Sequence, residues 1–424
     1  MALPARLIKP KPYSARIMPS ERTQALIKRS TSVFVGLNVF FLLATFRHRD
    51  YTDTAMDFQI LIKLSLWMAG LGLGILFFRR WIGNALRADN ILLVVLLVQI
   101  LLACLYAPHM TYAVACFISL VAVFMILYFA SIFLDEGEIL YAVLIAISVI
   151  CVISIIAYFV TPEFARMGEW IDGQHVPGNR LSGVTGNPNS MGLMAAFALI
   201  IATHYRTDFA RKNLPVFGIC VFLNIVALLM SNSRSSLAAM IVSLSAAYFL
   251  KFTPQRILAA SVLAACGIAF LLLVDLEAIM ALLSRSGDAR EITTATGRTY
   301  IWETAIQLIE ERPFTGWGYT STKEILPLHA YEIGHPPQST HNLYLQMLFA
   351  MGIPGLTTFL ALMFVKFYFS MKFQDFFKIT IMIFLLLHGF TESTIFVGMA
   401  GSTTIMFGLA YCLEYRKKNL ESKV

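Results

Sequence analysis

Three arginines and one histidine stand out among the polar residues of this chain, because each sits in a short hydrophilic cluster between long apolar runs. Arg180 lies in Gly178-Asn179-Arg180-Leu181-Ser182-Gly183, ahead of Gly186-Asn187-Pro188-Asn189-Ser190. Arg234 lies in the turn Ser231-Asn232-Ser233-Arg234-Ser235-Ser236, and Arg298 opens Gly297-Arg298-Thr299-Tyr300-Ile301-Trp302. His341 belongs to Ser339-Thr340-His341-Asn342-Leu343-Tyr344. A guanidinium presents a planar fork of donors that matches phosphate oxygens. A neutral imidazole can take a proton from a hydroxyl. Together they suit attack by a hydroxyl nucleophile on an anionic lipid substrate. No Asp-x-Asp or comparable carboxylate cluster is evident, so no metal is expected and the arginines would stabilise a leaving pyrophosphate themselves.

The elements that must position these residues are membrane helices. Of 424 residues, 58% are hydrophobic and 14% charged. A soluble domain carries roughly 25% charged residues, and hydrocarbon is what penalises charge. Apolar runs of helical length predict twelve transmembrane helices at 31–46, 58–78, 91–107, 111–134, 139–160, 190–205, 216–230, 236–250, 257–274, 341–369, 378–397 and 398–413. The expected plan is an N-terminal segment 1–30, nine helices within 31–274, a polar loop 275–340, three helices within 341–413 and a tail 414–424.

Placing the N-terminus in the cytoplasm gives cytoplasmic segments 1–30, 79–90, 135–138, 206–215, 251–256, 371–378 and 414–424. These hold 21 Lys and Arg against 9 Asp and Glu, while the opposite face holds 10 against 15. Such a bias is the positive-inside rule. It accounts for the net charge of +8 without a nucleic-acid partner. It puts both termini in the cytoplasm and all four polar clusters on the far face. The six cysteines lie inside apolar runs without metal-ligand spacing, and read as small core residues.

Local chemistry sharpens the four clusters. Asn-Pro-Asn-Ser is a turn that opens the sixth helix. Arg234 occupies a short turn on a side whose short loops otherwise avoid basic residues; the plainer reading is an arginine snorkelling to headgroups. Residues 299–311 form an amphipathic helix with Trp302, Ile306 and Ile309 on one face, ended by Pro313. That puts Arg298 at a helix N-terminus, which favours an anion. Ser339 or Thr340 as the cap of the tenth helix would put His341 in its first turn, where the dipole favours neutral imidazole. Glu392, one turn after His388 on the eleventh helix, is a candidate to orient a site residue; its plainer reading is a polar pair inside the bundle.

The set Ser233-Arg234-Ser235, Gly297-Arg298-x3-Trp302-x2-Ala305, Pro313-Phe314-x-Gly316-x-Gly318 and His341-Asn342-x-Tyr344-x6-Gly352-x2-Gly355 resembles the O-antigen ligase and polymerase superfamily. The resemblance implies an all-α, polytopic, GT-C-like membrane fold and an inverting, metal-independent glycosyltransferase in the bacterial inner membrane. Its donor would be a glycan on undecaprenyl pyrophosphate, used in the periplasm without a cofactor. Its acceptor would be lipid A-core for a ligase, another lipid-linked glycan for a polymerase, or a protein serine. Carried onto this chain, Arg234, Arg298 and Arg180 would bind pyrophosphate and His341 would be the catalytic base or the acceptor-positioning residue, with Glu392, Asn342 and Tyr344 in support. From another class, a flippase or transporter would place its charges near the bilayer midplane. Only Lys63, Lys366, His388 and Glu392 are candidates there.

Overall fold

The computed structural model describes residues 20–47, 56–87, 90–171, 174–250, 253, 255, 298–393, 395–396 and 398–413. The expected ninth helix at 257–274, with Cys266, and the first part of the long loop lie outside the described residues. So do 1–19 and the tail 414–424.

In chain order the helices are α1 (Glu21–Leu43), α2 (Phe58–Leu76), α3 (Phe78–Ala85), α4 (Ile91–Leu105), α5 (Met110–Phe133), α6 (Glu136–Val160) and the single turn α7 (Pro162–Ala165). An antiparallel hairpin follows, β1 (Arg166–Ile171) and β2 (Gln174–Leu181), pairing Met167 with Arg180. Then come α8 (Pro188–His204), α9 (Arg206–Ser231), α10 (Arg234–Phe249), α11 (Arg298–Glu311), α12 (Thr322–Ile325), α13 (Ala330–Ile333), α14 (Leu343–Lys372), α15 (Phe376–His388) and α16 (Ser402–Cys412). The architecture is helical, and the hairpin is its one departure among the described residues from an all-α chain.

Six helices, α1, α2, α5, α6, α9 and α14, are long and apolar enough to cross a membrane. Large apolar side chains such as Met68, Ile75, Phe222, Leu229 and Phe364 are exposed on these helices. On helices of membrane-spanning length, a surface of that kind suits contact with lipid. The protein is therefore a helical membrane protein.

The helix ends gather in two groups. At one end, Lys28 of α1 reaches Asp135 and Glu138 at the start of α6. There too Lys378 of α15 pairs with Asp375 and donates to the carbonyl of Leu413. The other end collects the hairpin, the α9–α10 turn, the starts of α8, α11 and α14, and the loop after α15.

Several boundaries differ from the sequence-based expectation. α1 begins ten residues before position 31, capped by Ser20. The expected eleventh helix stops at His388 instead of reaching 397, because Gly389 follows and the chain turns back under α14, with Leu343 donating to the Gly389 carbonyl at 2.7 Å. On α11 the buried face is Ile301, Ala305, Leu308 and Ile309, while Ile306 is exposed. The packed stripe is thus rotated from the one predicted, set by Phe349, Leu326 and Ile333 lying against it.

α14 is broken at Gly352, whose backbone (φ 63°, ψ −165°) is a conformation almost confined to glycine. The break frees carbonyls, and the segment after α11 fills the gap. Trp317 and Gly318 donate to the carbonyls of Phe349 and Ala350, and Ile353 donates to that of Pro313. Contact is backbone to backbone. A Cβ on Gly352 would lie 2.5 Å from the Phe314 carbonyl, and one on Gly316 2.6 Å from the backbone of Ala350 and Met351. The Pro-Phe-x-Gly-x-Gly and Gly-x2-Gly spacings are thus the two halves of one joint, which fixes the start of α14.

Gly352→Ala should destabilise the protein by at least about 1–3 kcal/mol from backbone strain alone, read as a lower melting temperature in detergent. Gly218→Ala, with open space around it on α9, should be neutral or slightly stabilising. Equal melting temperatures for the two variants would refute the joint.

Candidate functional site

The site is built around a buried carboxylate in the loop after α15. Glu392 is 6% exposed. Its Oε1 accepts from Nη2 of Arg298 at 2.7 Å and from Nδ2 of Asn189 at 2.6 Å. Its Oε2 lies 3.3 Å from Nδ1 of His341. Arg298 also donates through Nη1 to the carbonyl of Thr391. Burial alone would raise the carboxyl's pKa, but the hydrogen bond from His341 and the charge of Arg298 outweigh it and hold the group at about 2. Glu392 therefore stays ionised at any working pH, and serves as an anchor for cations and a poor proton acceptor.

Each partner arrives on a different element. Arg298 is the first residue of α11, which is tied to the site by Trp302, whose indole donates to the Thr340 carbonyl at 2.9 Å. Asn189 is in the first turn of α8, whose cap is Asn187. Its Oδ1 accepts from Nη2 of Arg180 at 2.6 Å, and Nε of Arg180 donates to the Ser231 carbonyl at 3.0 Å. Arg180 thus bridges the hairpin, α8 and the α9–α10 turn. That turn passes through Asn232 in left-handed conformation (φ 47°) and places Arg234, exposed, as the first residue of α10.

His341 corrects the sequence-based expectation. It does not lie in the first turn of the helix, and neither Ser339 nor Thr340 is the cap. Asn342 caps α14, its side chain accepting from the backbone N–H groups of Tyr344 and Leu345. A carboxamide two atoms from its own backbone reaches those donors directly, which is why Asn is a preferred cap. His341 precedes the cap in left-handed conformation (φ 49°), so its surroundings are set by Glu392 and not by the helix dipole. Such a backbone is uncommon for a residue with a side chain. Thr340 sustains it, donating to the Asn342 carbonyl at 2.7 Å.

The remaining expected residues support this frame. Asn342 donates to the Phe390 carbonyl at 3.4 Å, and Tyr344 hydroxyl to that of Leu386 at 2.8 Å. The first bond pins the loop carrying Glu392 to the start of α14, and the second pins the last turn of α15 there. His388 ends α15 and shares a hydrogen bond with Ser236, which meets Ser233 beside Arg234.

The structure brings Arg180, Arg298, His341 and Glu392 into one network, with Arg234 on the turn that Arg180 holds. One participant was missed in the sequence. Asn189 was read only as part of a turn, although an Asn inside a first helical turn, with the cap role already taken, was a usable signal. Among the described residues, no three His, Cys, Asp or Glu side chains cluster to hold a metal ion.

Fold and site together define a helical membrane protein with an arginine–carboxylate–histidine cluster at one end of its bundle. Residues 219–360 match the O-antigen ligase family, which supports membership of the O-antigen ligase superfamily and indicates a ligase- or polymerase-like function. Members of that family are glycosyltransferase-like enzymes. The matched stretch holds Arg234, Arg298, His341, Asn342 and Tyr344; Arg180, Asn189 and Glu392 lie outside it. No curated protein matches the chain.

Glu392→Ala should destabilise the protein by up to roughly 3–5 kcal/mol, because it leaves the Arg298 charge, whose side chain is only 17% exposed, without its partner. A carboxyl held below its unfolded pKa adds stability above that pKa and loses it as pH falls through the folded value. The gap in melting temperature between wild type and variant should hold steady from pH 8 to about pH 5, then narrow on further acidification. A gap that widens with acid would mean the carboxyl is protonated in the fold.

Proposed function

We propose that this protein is an inverting, metal-independent glycosyltransferase that moves a glycan from undecaprenyl pyrophosphate to lipid A-core, working at the periplasmic face of the bacterial inner membrane. The observation that carries the reading is the Arg298–Glu392–His341 cluster at one end of the bundle, whose guanidinium and imidazole are of the kinds that suit phosphate oxygens and a hydroxyl proton.

With Nδ1 turned toward Glu392, the tautomer that donates to the carboxylate leaves the lone pair of Nε2 free as base. The acceptor hydroxyl oxygen attacks the anomeric carbon from the side opposite the pyrophosphate, and its proton passes to Nε2 of His341. The bond from the anomeric carbon to the phosphate oxygen breaks, and its electron pair leaves on the pyrophosphate. Arg298, Arg234 and Arg180 neutralise that charge, as guanidinium forks do for phosphate oxygens. Glu392 remains an anion throughout and keeps both Arg298 and His341 oriented. Catalysis of this kind is orientation plus charge stabilisation, assisted by one proton transfer.

The 21-to-10 division of Lys and Arg between the two faces supports cytoplasmic termini, a twelve-helix plan and a periplasmic cluster. It is tested by cysteine labelling at two exposed positions. A cysteine at Tyr331, which is fully exposed, should react with an impermeant reagent in intact cells. One at Thr207 should not. The opposite result removes the periplasmic reading.

His341→Gln keeps hydrogen bonding but takes no proton at neutral pH. In a purified assay with undecaprenyl-linked glycan and lipid A-core, it should bind donor normally and transfer about 100- to 10,000-fold more slowly. Transfer within a few fold of wild type would remove His341 as base. Transfer by wild type to a second lipid-linked glycan or a protein serine, and not to lipid A-core, would reassign the enzyme as a polymerase or a protein O-oligosaccharyltransferase.

A further inference from the structure

We infer that Asn189 is a positioning residue whose side-chain amide fixes Arg180 and Glu392 relative to each other, so that the guanidinium on the hairpin and the one on α11 address the same donor pyrophosphate. This rests on the function proposed above.

The chemistry of the partners dictates the orientation of the amide. A guanidinium only donates and an ionised carboxylate only accepts. Oδ1 must therefore face Arg180 and Nδ2 must face Glu392, as found, at 2.6 Å each. No carboxylate or hydroxyl of the same reach makes both bonds so well. The residue is free for this work, because Asn187 already supplies the cap of α8 and accepts the backbone N–H of Asn189 at 2.8 Å. Asparagine there has no helix-forming advantage. Its bond to Glu392 spans 203 residues of sequence, and it shares Oε1 with Arg298. The two arginines are therefore joined through one amide and one carboxylate oxygen. Without the amide, Arg180 keeps its backbone acceptors on the α9–α10 turn but loses its tie to the rest of the site.

Asn189→Asp is nearly isosteric and tests the idea. It sets a second carboxylate against Oε1 of Glu392, where the two anions repel at pH 8 and the pair takes up a proton more readily than an isolated carboxylate. At pH 8 the variant should bind undecaprenyl-pyrophosphate-linked glycan at least tenfold more weakly than wild type. The ratio of variant to wild type should recover as pH falls, because a shared proton restores the bridge. Should the Asn189→Asp variant fail to fold, Asn189→Ala with Arg180→Ala gives a second route. If the amide acts through Arg180, the double variant binds donor no worse than Arg180→Ala alone. A ratio flat with pH together with additive losses would overturn the inference and leave Asn189 a packing residue. Wild type failing to bind the donor at all would instead overturn the proposed function, and the inference with it.

Discussion

The site depends on one buried anion. A carboxylate removed from water is costly unless charges and hydrogen bonds satisfy it. Glu392 is satisfied by three side chains from three separate parts of the chain, Asn189, Arg298 and His341. The cost of leaving any of its lone pairs unmet is what draws α8, α11 and the residue before α14 to a common point. The same pairing keeps a guanidinium and an imidazole in fixed positions at the end of the bundle, where water would otherwise compete for them.

The helices serve that point by ending where they do. α15 stops at His388 so that the loop behind it can carry Glu392 into the cluster; Asn342 holds that loop, and Tyr344 the last turn of α15, against the start of α14. The start of α14 is fixed in turn by the break at Gly352, where the segment after α11 lends its backbone donors to carbonyls that the broken helix cannot use. Broken helices are tolerated at membrane depth when protein satisfies the freed groups. Here they also set the reach of His341, at the head of the same helix, whose left-handed backbone is kept by Thr340.

The far end of the bundle is organised differently. Lys366 is buried, donating to Asn90 and lying 4.6 Å from the centre of the Tyr411 ring. Lys378 is buried beside Asp375. These pairs tie α14 and α15 to α16 and to the residue preceding α4. They are joints between helices and contribute nothing to the arginine cluster, which lies at the opposite end.

Much of this was legible along the chain. Apolar runs of helical length mark α2, α4, α5 and α6 to within a few residues, because a helix buries or exposes its own contiguous segment and its backbone bonds are local. The motif residues Arg180, Arg234, Arg298 and His341 could be singled out because a charge or an imidazole between membrane helices is conspicuous by type alone. Geometry at the site was not legible. His341 was expected inside a helix dipole, and it lies before the cap, against a carboxylate 51 residues on. Glu392 was expected on a helix and stands in a loop. Asn189 carried a turn signature that concealed a bond to a residue 203 positions away. Local sequence sets which backbone conformations are cheap. Which buried polar group finds which partner is settled only when distant segments pack, because the penalty for an unmet charge is imposed by the assembled interior and not by the neighbours in sequence.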